Sequence, residues 1–246
     1  MSRWVVIPDL QVPMQDMRFV EAVCTWIESN GPWDGLANVG DEADCTAVGR
    51  WVRGRRGEYS GNLQKDLDET NAVLGLFREA IGPDVPYLLM RSNHTDRLKH
   101  YLSNAPALDT LTCLDYPTLV GLDEWDIQYK DKPFKFITDG GGWMLAHGDE
   151  GSLIRTPGGT ALGLAKRYGM SCVVGHTHKA GVQHDHHAVN GRITKHVFGV
   201  ETGHGMDLKK ASYLKGGYGN WQQAITVIHD GTPLLMPIIN GRVVTP

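Results

Sequence analysis

Cysteine is scarce in this chain, with four residues in 246, at positions 24, 45, 113 and 172. None is spaced as C-x-x-C and all lie in apolar segments, which excludes a dithiol or disulfide framework and points to buried reduced thiols in a reducing compartment. A long hydrophobic run is also missing, so no segment is expected to span a membrane. The opening apolar stretch meets Pro8-Asp9 too early for the core of a signal peptide. A cytoplasmic protein is the expectation. Positive charge is not in excess either: 24 Lys and Arg face 28 Asp and Glu, a formal net charge of -4. That balance argues against a protein that coats nucleic acid through general electrostatics. There is no internal repeat, low-complexity tract or linker. With 41% hydrophobic and 21% charged residues, residues 1–246 read as one folded domain.

What is present is an alternation of short apolar runs and helical patterns. Residues 5–7 read as a buried strand, and residues 17–28 place Phe19, Val20, Val23 and Ile27 near a helical period, giving a βα unit. Residues 36–39 form a second strand. Residues 63–81 form a long helix closed by Gly82-Pro83, and residues 85–90 return as a strand. The pattern loosens over 105–135, which reads as an irregular insertion or small cap. It resumes with strands at 143–146 and 172–174 around a helix at 161–168. Residues 192–245 read as a strand meander, and a second sheet would cover the first. Residues 203–220, rich in Gly and Lys, read as a mobile loop.

Polar residues punctuate the ends of these strands. Asp9-Leu10-Gln11 follows the first, and on an extended strand end Asp9 and Gln11 would point to one face. Gly40-Asp41-Glu42-Ala43-Asp44 follows the second; Gly40 permits a tight turn, Asp41 faces the crevice, and Asp44 either supports that carboxylate or caps the next helix. Asn93 and His94 follow the third, adjacent and therefore pointing apart, so one can ligate while the other serves as an acid. His147-Gly148 and Gly175-His176-Thr177-His178 close two further strands. Each cluster alone is an ordinary turn. Together they bring carboxylate, amide and imidazole donors to the carboxyl ends of an α/β sheet, where divalent cations are held.

These residues resemble, in order and strand context, the calcineurin-like metallophosphoesterase superfamily, whose motifs run D-x-H, G-D-x-x-D, G-N-H-[DE], a later His beside Gly, and G-H-x-H. The match covers residues 9 to 178. The resemblance implies a four-layer α/β/β/α sandwich of two mixed β-sheets flanked by helices. It also implies two divalent metal ions, one held by Asp9, Gln11, Asp41 and His178, the other by Asp41, Asn93, His147 and His176. Asp41 would bridge them. His94 matches the catalytic histidine, with Asp96 two residues on to orient it. Two departures stand out: Gln11 replaces the usual His, and Thr95 replaces the acid after His94. A neutral amide oxygen holds its ion less tightly than imidazole and favours Mn²⁺ or Mg²⁺ over Zn²⁺; Mn²⁺ is the first choice, with Fe and Ni²⁺ also open.

Two divalent ions outweigh the carboxylates of Asp9 and Asp41, so an anionic phosphoester is the natural ligand. Hydroxide formed near neutral pH would displace the leaving group in line, and His94 would assist its departure. Arg50, Arg53, Arg55 and Arg56 occur with Trp51 and Tyr59 soon after Asp41. They form either a solvated surface or a nucleotide-handling rim, in which Arg53 and Arg55 bind substrate. His204 is a further substrate candidate or an exposed histidine. His184, Asp185, His186 and His187 read as a hydrated hairpin or an extra metal tract. The resulting expectation is a metal-dependent phosphodiesterase acting on small nucleotides, cyclic ones included. A nuclease or phosphomonoesterase on the same site is the alternative, and a noncatalytic metal-binding scaffold is the rival from another class.

Overall fold

The computed structural model describes residues 2–50, 52–55, 62–137, 142–211 and 219–245. Strands β1 (Arg3–Ile7), β2 (Gly35–Asn38), β3 (Tyr87–Met90) and β4 (Ile127–Lys130) lie side by side and parallel. On the other side of β1, β10 (Ala224–His229), β11 (Thr232–Ile239) and β12 (Arg242–Val243) add antiparallel, giving a seven-stranded sheet ordered β12-β11-β10-β1-β2-β3-β4. A five-stranded sheet follows the order β5-β6-β7-β9-β8. Its strands are β5 (Phe134–Ile137), β6 (Trp143–Leu145), β7 (Ser171–Val174), β8 (Ala180–Val189) and β9 (Arg192–Thr202).

Strand alternation sorts the apolar residues into three layers. Trp4, Val6, Ala37, Val39, Leu88 and Met90 of the large sheet pack on Trp143, Leu145, Val173 and Val200 of the small one. Their neighbours Val5, Ile7, Leu36, Tyr87 and Leu89 face the other way, against helices α1 (Met17–Asn30) and α2 (Leu63–Ile81). Helix α6 (Gly159–Tyr168) sets Ala161, Leu164 and Ala165 on the outer face of the small sheet, against Cys172 and Val174. Because both faces of β1 to β3 are covered, these strands read as continuous apolar runs. The outcome is a four-layer α/β/β/α sandwich.

Three sequence expectations are corrected. The region from 105 to 135 is short helical turns, α4 (Pro106–Asp109) and α5 (Tyr116–Val120), followed by β4 and the start of β5. Tyr116, Val120, Leu122 and Ile127 join the main core rather than a separate cap. The meander divides: β9 belongs to the small sheet, whereas β10 to β12 extend the large one. Strand periodicity carries no information about which sheet a strand joins. Among the cysteines, all free, Cys113 is exposed in a short turn. The stretch 203–220 lies partly outside the described residues. Among the described residues, no helix is long and apolar enough to cross a membrane.

Candidate metal centre

The carboxyl ends of β1, β2 and β3 meet those of β6 and β7, so five connections converge on one point between the sheets. The backbone there is contorted: Gln11, Asp41, His176 and His178 have φ of 54°, 54°, 65° and 57°. Left-handed backbone at non-glycine residues is uncommon and persists where surrounding contacts over-determine it. Gly40 and Gly175 make room. A Cβ on Gly175 would overlap the Asp9 carboxylate, and one on Gly40 would lie 2.8 Å from the Met90 carbonyl and 3.1 Å from Nδ1 of His147.

Two groups of ligand atoms have the compactness needed to hold an ion: Asp41 with His147 and His176, and Asp9 with Asp41 and His178. They share Asp41. Nε2 of His147 lies 3.4 Å from Oδ1 of Asp41 and 2.9 Å from Oδ1 of Asn93, while its Nδ1 is fixed by the Val39 carbonyl at 2.8 Å. Nε2 of His178 lies 3.2 Å from Oδ2 of Asp9, which also accepts the backbone N–H of His176 at 2.8 Å. Gln11 donates its amide N–H to Oδ2 of Asp41 at 2.9 Å. Its left-handed backbone corrects the expectation of an extended end with Asp9 and Gln11 on one face. The turn, rather than strand alternation, brings Gln11 to Asp41.

The donor set fits divalent cations. Asp9 Oδ1, Gln11 Oε1 and Asp41 Oδ1 are buried without a hydrogen-bond partner, an expensive condition that a cation relieves. The local field calls for positive charge. Burial alone would lower the His147 pKa, but the Asp41 carboxylate, with Asp9 behind it, raises it to about 10. Burial alone would likewise raise Asp41, yet His147 and His94 hold it well below the usual carboxylate range. His176 is lowered by burial and by the charge on His147.

His94 sits on the connection between β3 and α3 (Asp96–Leu102). Nη2 of Arg97 lies 2.7 Å from its Nε2. A guanidinium only donates, so this nitrogen is the acceptor and the proton resides on Nδ1. That Nδ1 lies 3.1 Å from Oδ1 of Asp44. The role assigned to Asp96 is therefore corrected: its Oδ2 is taken up by Arg91, at 2.6 and 3.0 Å. Asp44, backed by the Thr46 hydroxyl, stands beside the imidazole instead. It does not cap a helix; the short 3₁₀ turn Thr46–Val48 starts after Cys45 without a side-chain cap.

The remaining candidates separate. Arg53 and Arg50 line a cavity beside Asn93, whereas Arg55 is exposed in a turn and does not line it. Trp51, Arg56 and Tyr59 lie outside the described residues. His204 is buried, its Nδ1 accepts the Met206 N–H, and its ring centroid is 5.9 Å from that of His178. Burial and then the neighbouring His178 push its pKa down to about 3, so it backs His178 as a neutral ring rather than meeting phosphate as a cation. His184, Asp185, His186 and His187 all lie within β8, paired with β9.

Two curated relatives match nearly the whole chain. The Gene 54 protein of Mycobacterium phage L5 is 30% identical over 250 residues, covering 98% of this chain and 95% of the relative. The Gene 54 protein of Mycobacterium phage D29 is 30% identical over 249 residues with the same coverage. The chain belongs to the Gene 54 protein family of these phages. No family model matches. Among solved structures, this Gene 54 family member is similar to Vps29 from Entamoeba histolytica complexed with zinc, at TM-score 0.49 and 13% identity, covering 99% of this chain and 97% of that one. Vps29 from Chaetomium thermophilum gives TM-score 0.48 and 10% identity, covering 100% and 95%.

Several supporting residues in this Gene 54 family member were not singled out by sequence. Glu42, next to Asp41, is fully buried and accepts a short hydrogen bond from Tyr116; burial pushes its pKa to about 7. Glu201, at the end of β9, is buried and binds the Thr177 hydroxyl at 2.9 Å and the Thr160 N–H at 3.0 Å. It thereby fixes the residue between the two histidines. Trp221 sets its ring edge-to-face on His178, centroids 4.4 Å apart. Arg97 is three residues after His94, and the turn that leads into α3 brings the two together, the Arg97 backbone N–H bonding the His94 carbonyl at 3.1 Å.

Proposed function

We propose that this protein is a metal-dependent phosphoesterase that favours phosphodiesters of small nucleotides and uses two divalent ions. The supporting observation is that two compact ligand groups share the buried Asp41, beside a histidine that ligates neither. Asp9, Gln11, Asp41 and His178 would hold one ion, and Asp41, Asn93, His147 and His176 the other. Bound there, the ions lower the pKa of water and neutralise phosphoryl charge.

The chain's own residues supply the rest. The Val39 carbonyl accepts from Nδ1 of His147, which orients the ring and leaves Nε2, beside Oδ1 of Asn93, as the atom that would meet the ion. His94 places Nε2 3.8 Å from Oδ2 of Asp41, where it accepts from Arg97; once Arg97 releases that nitrogen and the ring takes up a second proton, Nε2 would donate it to the leaving oxygen. Asp44, 3.1 Å from Nδ1, holds the ring in place. Gln11 contributes a neutral oxygen where the resembled family has imidazole, which favours Mn²⁺ over Zn²⁺.

The test is hydrolysis of bis(4-nitrophenyl) phosphate by protein stripped with chelator and reconstituted with single metals. Mn²⁺-dependent turnover, abolished by Asp41→Asn and strongly reduced by His94→Asn, is the expected result. Stoichiometric metal content without turnover under any divalent ion would establish a noncatalytic scaffold. Full activity with Zn²⁺ alone, unaltered in Gln11→His, would overturn the metal preference.

A further inference from the structure

We infer that the cavity beside Asn93 is a subsite for a second phosphate group, so that the preferred ester carries an additional phosphate about one sugar away from the bond that breaks. The inference rests on the phosphoesterase reading and adds the substrate class. The cavity measures about 360 Å³ and is walled by Arg50, Arg53 and Arg97 together with Asn93, His100 and Tyr101. Among the described residues its lining has three guanidinium groups and no carboxylate, on a chain whose acidic residues outnumber its basic ones. The concentration of cations is therefore local. Guanidinium groups match phosphate oxygens with paired N–H donors, and a cluster of them suits a doubly charged phosphate monoester better than a singly charged carboxylate.

Its position joins it to the chemistry. Asn93 belongs both to the cavity wall and, through His147, to the ion cluster. Arg97 is the second joint: one end of its guanidinium contacts Nε2 of His94 at 2.7 Å, and the other donates to the Asp44 carbonyl at 2.6 Å. Arg97, His100 and Tyr101 are spaced i, i+3 and i+4 on α3, so one helix face forms a whole wall. A phosphoryl group at the ions therefore has its next substituent in this cavity. The volume is at the small end for ligand pockets, enough for one nucleotide unit rather than a strand. Tyr101 offers a ring face for its sugar or base. An anion entering also draws Arg97 from His94, leaving Nε2 for the leaving oxygen.

The test compares two chromogenic esters in the presence of Mn²⁺: thymidine 5′-(4-nitrophenyl phosphate) and the same compound phosphorylated at its 3′ oxygen. The expected result is a kcat/KM about tenfold or more higher for the 3′-phosphorylated ester, carried by KM, with the ratio falling towards one in both Arg50→Ala and Arg53→Ala. Equal kcat/KM for the two esters in the unmodified protein, or a ratio that survives both substitutions, refutes the subsite and leaves the phosphoesterase reading standing. If neither ester turns over with any divalent ion, that reading falls. Calorimetric titration with thymidine 3′,5′-bisphosphate then decides the subsite: binding weakened about tenfold by Arg53→Ala supports it, and unchanged binding overturns it.

Discussion

Replacing Gly175 with alanine would disturb the centre without removing a donor. The added Cβ would lie 3.0 Å from Cγ of Asp9, nearer still to Oδ1, and 2.5 Å from Cγ2 of Val39, where ordinary contacts begin near 3.4 Å. Asp9 cannot yield cheaply. It is fully buried, and its Oδ2 holds the His176 N–H at 2.8 Å and lies 3.2 Å from His178. Overpacking of this kind costs about 1–3 kcal/mol, and losing a hydrogen bond to a charged group adds about 1.5–3 kcal/mol. G175A should therefore lose about 2.5–6 kcal/mol of stability in chelator, and the ion held by Asp9 and His178 should bind about tenfold more weakly. Urea unfolding followed by tryptophan fluorescence measures the first, and calorimetric titration with Mn²⁺ the second. Gly191→Ala is the control: φ there is +73° with no atom within 4 Å of the added carbon, so it reports backbone cost alone. A G175A protein as stable as G191A, with unaltered Mn²⁺ affinity, refutes the reasoning.

Asp44 and Asp96 should part company under mutation. D44N should lower kcat about 10–100-fold by loosening His94, whereas D96N should leave kcat nearly unchanged and cost about 1 kcal/mol through the lost Arg91 contacts; equal kinetic losses would restore Asp96 to the site. Glu42 should make the ion-free protein less stable as pH rises. Its carboxyl titrates near 4.5 ordinarily and near 7 in the fold, so between those values the folded state keeps a proton that the unfolded chain releases. The stabilisation is complete below pH 4.5 and is lost through pH 7. E42Q should flatten this fall by about 3 kcal/mol over that window. The protonated His147 adds its own decline only between 6.5 and about 10. Unfolding curves in chelator at pH 4.5 and 7 check it, and identical slopes in both proteins would dispose of the idea.

The donors were legible because donors to a metal come from few residue types and strand ends are marked by Gly, Asp and Asn. Asp9, Asp41, His147, His176 and His178 could be named from their order alone, and the structure gathers them into two groups. Helices α1 and α2 were legible because their buried faces repeat at helical spacing. The partners of these elements were not. Asp96 lies nearer His94 in sequence than Asp44 does, yet Asp96 binds Arg91 and it is Asp44 that stands 3.1 Å from the ring. Nothing in a linear pattern records that competition.

The sequence by itself determined the chemistry on offer: carboxylates, imidazoles and amides at successive strand ends, with glycines where the backbone must turn. The tertiary structure alone decided which of them meet. It sent β10 to β12 to the large sheet, buried His204 behind His178, and joined Arg97 to His94 across the wall of a cationic cavity. The physical reason is that donor type is a property of one residue. Charge pairing and burial depend on distances between segments far apart in the chain, and those distances exist only once the sheets have packed.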